Sequence, residues 1–126
     1  MYHIKTISTT LLVILTLDLI WLGYVGKGFY VDEIGSLMKA KPSLLSAFFV
    51  YALLVSGIII FVLPRAGGDH LSSLYYGAIF GFTCYGIYDF TNLAIIEKWT
   101  LKISIIDLFW GTFICAIASY LASFVK

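Results

Sequence analysis

The chain has 126 residues, of which 61% are hydrophobic, 17% aromatic and only 12% charged, with a net charge of +1, whereas an ordinary soluble domain is about 25% charged. A soluble core of this size cannot hide so much apolar surface, and the near-zero net charge offers neither a basic patch for nucleic acid nor an acidic tail. The sequence therefore points to a membrane protein, with nucleic acid set aside as a partner.

Charge placement sharpens this. All eight Lys and Arg residues stand at the edges of apolar runs. Lys5 and Lys27 enclose 21 residues, 43–63 is a further 21 without a charge, 71–96 is 26, and Lys102 and Lys126 enclose 23. About 20 residues at 1.5 Å rise cross a hydrocarbon core. The expectation is a single all-α domain over 1–126, an integral membrane four-helix bundle with helices at 6–26, 43–63, 71–96 and 103–125.

The first run follows a short basic start, as a signal peptide would. It is too long for one, lacks a small-residue cleavage site and contains Asp18, so it reads as a retained helix. The connection 28–41 carries Phe29, Tyr30, Ile34, Leu37 and Met38 at helical spacing opposite Asp32, Glu33, Lys39 and Lys41. That pattern predicts a short amphipathic helix lying on the membrane surface. Pro42 precedes the second helix, and Pro64, Gly67 and Gly68 are expected to end it. Gly77 and Gly81 on the third helix, and Ala118, Ser119, Ala122 and Ser123 on the fourth, form faces of small residues on which helices can pack closely. Cys84 and Cys115 lie in separate runs without redox spacing and read as small buried residues.

Four spans put both termini and the 64–70 turn at one end of the bundle, the terminal end, and the 28–41 and 97–102 connections at the other, the loop end. Five lysines flank the loop end against Lys5, Arg65 and Lys126 at the terminal end, so the positive-inside rule barely favours one orientation.

Asp18, Asp89 and Asp107 are the only charged residue types within the runs, and no Lys or Arg there can pair with them. Intramembrane acids are expensive and mark candidate functional sites. Counted from Lys27, Glu97 and Lys102, they lie about 13, 12 and 8 Å below the loop end at 1.5 Å per residue, in one half of the membrane. Three residues on from each stands a companion on the same face, Trp21, Asn92 or Trp110. Asp18-Leu19-Ile20-Trp21 and Asp107-Leu108-Phe109-Trp110 echo one pattern. Tyr85, Tyr88 and Thr91 surround Asp89 in sequence, and Tyr24 closes the first helix. These nine residues, the three acids with Trp21, Tyr85, Tyr88, Thr91, Asn92 and Trp110, are the expected ligand or cation site, a polar and aromatic chamber opening at the loop end. Trp99, Phe29 and Tyr30 read as interfacial rings. His3 and His70 fall at the opposite end, so no metal site joining His to Asp is expected. With no Cys pair, His cluster or Gly-rich nucleotide loop, no cofactor is expected either.

Asp18-x-x-Trp21-x-Gly23, Gly28-Phe29-Tyr30, Pro42, Gly77-x-x-x-Gly81, Tyr88-Asp89-x-Thr91-Asn92 and Asp107-x-x-Trp110-Gly111, in this order, resemble a family of small bacterial inner-membrane proteins classed as a domain of unknown function. The resemblance implies a four-helix bundle in a bacterial inner membrane and brings no activity with it. Three functions fit the residues. First comes binding or transport of a proton, cation or small organic ligand by the carboxylates, and second a membrane-embedded enzyme or binding protein for a lipid-like substrate. Third is a structural or assembly partner without chemistry, and the small-residue faces also admit a homo-oligomer.

Overall fold

Where no water reaches the backbone, each N–H and C=O must be satisfied within its own segment, so long apolar runs become helices. The computed structural model describes residues 4–39 and 41–125, and among them there is no strand. His3 and Lys126 lie outside the described residues. Helix α1 spans Ile4–Ile20 and continues through a π-helical turn, Trp21–Val25. The connection holds α2, Lys27–Ile34, and a 3-10 turn, Gly35–Leu37. Helix α3, Leu44–Gly57, runs on through a second π turn, Ile58–Val62, into α4, Leu63–Ala66. Helices α5, His70–Ile95, and α6, Leu101–Ala122, complete the chain.

Three of these stretches are long and apolar enough to cross a membrane, Ile4–Tyr24, Leu44–Ala66 and Leu101–Ala122. The fourth expected span, α5, has the length but not the apolarity, because its inner face carries Ser73, Tyr76, Tyr85 and Asp89 among its apolar residues. It earns its place in the bundle by packing on α6.

Side-chain oxygens cap three of the helices where the sequence turns polar. Ser43 accepts from the Ser46 amide at 3.2 Å, Asp69 from Ser72 at 2.8 Å and Thr100 from Ile103 at 3.1 Å. The expected end of the second helix at Pro64 is corrected. The helix passes through the proline and stops at Gly67, whose φ of 62° permits a left-handed cap. Proline cannot donate to the preceding turn, and the wider π turn just before it accommodates the missing bond. The surface helix is likewise shorter than 28–41, and its polar and apolar faces do not separate as expected: Tyr30 and Glu33 both turn toward α6.

Contacts between distant residues fix the two ends. Thr6 Oγ1 reaches the Val125 carbonyl at 3.5 Å, and His70 Nδ1 lies 2.7 Å from Ser123 Oγ, which gathers the terminal end. At the loop end Glu33 accepts from Thr100 Oγ1 at 3.2 Å and meets Lys102 Nζ at 3.4 Å. Between them Ile14, Ile58 and Ile114 are wholly buried, with Cys115 and Ala118 beside them, while Leu44, Phe61 and Phe109 point outward. An apolar exterior around a dry core suits a lipid environment.

Lipid tails are as apolar as leucine, so helices in a bilayer are held mainly by close packing at small residues. The α5–α6 seam is such a contact. A β-carbon on Gly81 would lie 2.2 Å from the Gly111 carbonyl oxygen, and one on Gly111 would lie 2.0 Å from the Tyr85 ring. The small faces thus join helices of one chain.

Candidate functional site

The two Asp-x-x-Trp echoes lie on α1 and α6, which run antiparallel, so each acid sits at the level of the other repeat's tryptophan. Each companion shares its acid's helix face, but the hydrogen bonds of Asp18 and Asp107 come from other elements. Trp110 Nε1 donates to Asp18 Oδ1 at 3.1 Å, and Trp21 Nε1 turns to the Tyr30 hydroxyl at 3.0 Å, which in turn donates to Asp107 Oδ1 at 2.9 Å. The two indoles stack face to face, 4.6 Å between centroids and 8° from parallel. Helical spacing puts Asp and Trp on one face, but antiparallel packing brings the partner helix's donor closer than the same helix's own.

Asp18 is satisfied on both oxygens, since the Tyr51 hydroxyl from α3 donates to Oδ2. Tyrosines therefore serve both repeats, Tyr51 for Asp18 and Tyr30 for Asp107. Burial, reinforced by the neighbouring Asp107 carboxyl, raises the Tyr30 phenol above its ordinary pKa, so it remains a hydrogen-bond donor.

Asp89 has no tryptophan and no tyrosine. It is wholly buried, and among the described residues neither of its carboxyl oxygens has a hydrogen-bond partner; the same holds for Asp107 Oδ2. The two carboxyl groups stand within hydrogen-bonding reach of each other. Two acceptors that face each other lack a donor, and a proton or a cation between them would supply it. Ser104 Oγ donates to the Thr100 carbonyl at 3.0 Å, meets Asp89 at its backbone carbonyl, 3.5 Å away, and accepts from the Trp99 indole at 2.9 Å.

The acids thus form a pair and a separate, braced third. Among the described residues no group of three or more His, Cys, Asp or Glu is arranged to hold a metal ion. Tyr85 lies against Gly111 with its phenol in electrostatic range of Asp18 and Asp107. Tyr88 is half exposed, packs edge-on against Trp99 with centroids 5.8 Å apart, and lies beside the Asn92 side chain. Thr91 is exposed on the outer face of α5. Asn92 lends its backbone carbonyl to the last turn, accepting from the Ile96 amide at 2.8 Å. Thr91 is therefore apart from the acids, Tyr88 lies in electrostatic range of Asp107 and Asp89 with Asn92 beside it, and Trp21, Tyr85 and Trp110 gather around Asp18 and Asp107.

Two residues of the site were not expected from the sequence. Tyr51 sits in an uncharged run with no local sign of its role, and Tyr30 reads as an interfacial ring until α2 folds back onto α6. Trp99, also read as interfacial, is buried, because its N–H finds Ser104.

No curated protein and no solved structure matches this chain significantly. A family model described as "Predicted membrane protein (DUF2177)" matches residues 3–124. A match over nearly the whole chain, on a bundle with three membrane-length apolar helices, shows that the protein belongs to this family of membrane proteins of unknown function.

Proposed function

We propose that the protein binds and exchanges a proton, or a small monovalent cation in its place, at the Asp89–Asp107 pair. The observation that carries this reading is the fully buried Asp89, neither of whose carboxyl oxygens has a hydrogen-bond partner among the described residues, with the Asp107 carboxyl as its neighbour. Two ionised carboxylates in contact inside a bilayer cost several kcal/mol, and a bound proton or cation removes that cost. Asp18, satisfied by Tyr51 and Trp110, is a positioning residue that fixes the tryptophan stack beside the pair. Such an exchangeable site is the elementary unit of an acid-coupled carrier or proton relay, here in the bacterial cytoplasmic membrane.

A lipid-directed enzyme ranks below this reading for a specific reason. Trp21 and Trp110, which would line a pocket for an apolar guest, each turn one ring face to the other. The test is proton flux in liposomes containing the full chain, followed with an entrapped pH-sensitive dye. Acid-coupled flux should be lost in Asp89→Asn, and flux that persists unchanged would remove the proposal.

A further inference from the structure

Helix α2 is attached to the bundle in an unusual way. It contributes little to the core: Val31 and Asp32 are exposed, and Phe29 and Ile34 are only partly covered. Its attachments are polar, with the Tyr30 hydroxyl accepting from Trp21 Nε1 at 3.0 Å; the rest run to α6 and its cap, with Tyr30 on Asp107 at 2.9 Å, Glu33 on Thr100 at 3.2 Å and on Lys102 at 3.4 Å, and the Lys102 ammonium 5.4 Å from the Phe29 ring centroid. On its N-terminal side the chain leaves α1 through the π turn Trp21–Val25, and on the other side it ends in the 3-10 turn Gly35–Leu37. Segments with few buried apolar contacts between irregular turns open at low cost.

What α2 covers is the acid pair. Tyr30 donates to Asp107 Oδ1, Oδ2 of the same carboxyl has no hydrogen-bond partner among the described residues, and Asp89 is the neighbouring carboxyl. In the terminal half Ile14, Ile58, Ile114 and Cys115, all without exposure, form an apolar layer, and the hydroxyls of Thr6, Thr10, Ser73 and Ser119 are also buried in that half. We infer that α2 is the gate of the acid pair: it lifts on the Trp21–Val25 turn to admit a proton or small monovalent cation from the loop end, and Tyr30 is the bolt that closes on Asp107. This rests on the proposed exchange at Asp89 and Asp107 and adds its route of access. When the gate opens, the Tyr30 hydroxyl leaves Asp107 Oδ1 and water takes its place as donor. No covalent bond other than O–H changes.

The experiment is hydrogen–deuterium exchange of the carboxylic acid, followed by the infrared carbonyl-stretch band of the full chain in lipid nanodiscs moved into heavy water. A background with Cys84→Ala and Cys115→Ala carries Glu33→Cys and Lys102→Cys, bridged by a reversible bifunctional methanethiosulfonate reagent. Bridging should slow the exchange by about tenfold or more, and reduction should restore it. Tyr30→Phe, which keeps the ring and removes the bolt, should speed exchange by about tenfold, the effect of one lost hydrogen bond to a carboxyl group. Equal rates in the bridged and reduced protein overturn the gate, and a wild-type rate in Tyr30→Phe overturns the bolt. A carboxylic acid band that is absent, or that survives in Asp89→Asn, overturns the acid-pair reading and the gate with it. Loss of the band in Asp89→Asn together with bridge-insensitive exchange overturns the gate alone.

Discussion

The indole of Trp110 donates to Asp18 while its ring lies 4.6 Å from that of Trp21, so one side chain joins the two Asp-x-x-Trp repeats both by a hydrogen bond and by a stack. Around this contact the site has an approximate two-fold character, with Tyr51 serving Asp18 and Tyr30 serving Asp107. Asp89 breaks the symmetry. It neighbours Asp107, and among the described residues both its own oxygens and Asp107 Oδ2 lack a hydrogen-bond partner.

Removing only the indole N–H tests the brace. Trp110→Phe keeps an aromatic ring in the stack but takes the donor from Asp18 Oδ1, and a hydrogen bond to a buried carboxyl is worth about 1–3 kcal/mol. The unfolding midpoint in detergent should fall accordingly, and Tyr51→Phe should lower it by a similar amount. Unchanged midpoints in both variants would show that Asp18 does not depend on these donors.

Asp89→Asn should behave in the opposite way for stability. The amide brings two donors next to Asp107 Oδ2, so the variant should be as stable as the wild type or more stable by roughly 1 kcal/mol. Thermal unfolding in micelles measures this, and a large loss of stability would mean that Asp89 has a partner on which the fold depends.

The α5–α6 seam predicts two substitutions with different rescue. Gly81→Ala drives its β-carbon against the Gly111 backbone carbonyl, and Gly111→Ala drives one into the Tyr85 ring. Each should cost about 3 kcal/mol, the upper part of the range for overpacking. Tyr85→Ala should partly restore Gly111→Ala, because the obstacle is a side chain, and should not restore Gly81→Ala. The comparison is read from unfolding midpoints of the single and double variants.

The cap of α5 predicts a pH dependence at the membrane surface. Hydrogen bonds from Ser72 hold the exposed Asp69 carboxyl below the ordinary carboxylate value. Its folded pKa is the lower one, so its contribution is complete above the unfolded value and is lost as pH falls through the folded value, in a window below about pH 4. Amide exchange at Ser72 and Ser73 should accelerate in that window, and in Asp69→Asn it should lose this pH step.

The helices were legible because their signals are local. Unbroken apolar length and the punctuation at Pro42, Pro64, Gly67 and Gly68 lie within a few residues of the element each defines. The three acids stood out for a similarly local reason, as ionisable groups in runs where ionisation is costly. The depth of Trp21, Tyr85 and Trp110 follows from counting residues along a helix. Depth does not give rotation or the partner helix, which is why Thr91, counted with the chamber from the sequence, is exposed on the outer face of α5.

By itself, then, the sequence determined that this is an all-α membrane protein with three acids in one half of the bundle. Only the tertiary structure decided which acid is satisfied and which is not. That choice depends on Tyr51 reaching Asp18 across 33 positions and Tyr30 reaching Asp107 across 77. Such pairs are set by the antiparallel packing of α1 on α6 and the docking of α2, and nothing near Asp89 in the chain reveals that it would be the acid left facing another acid.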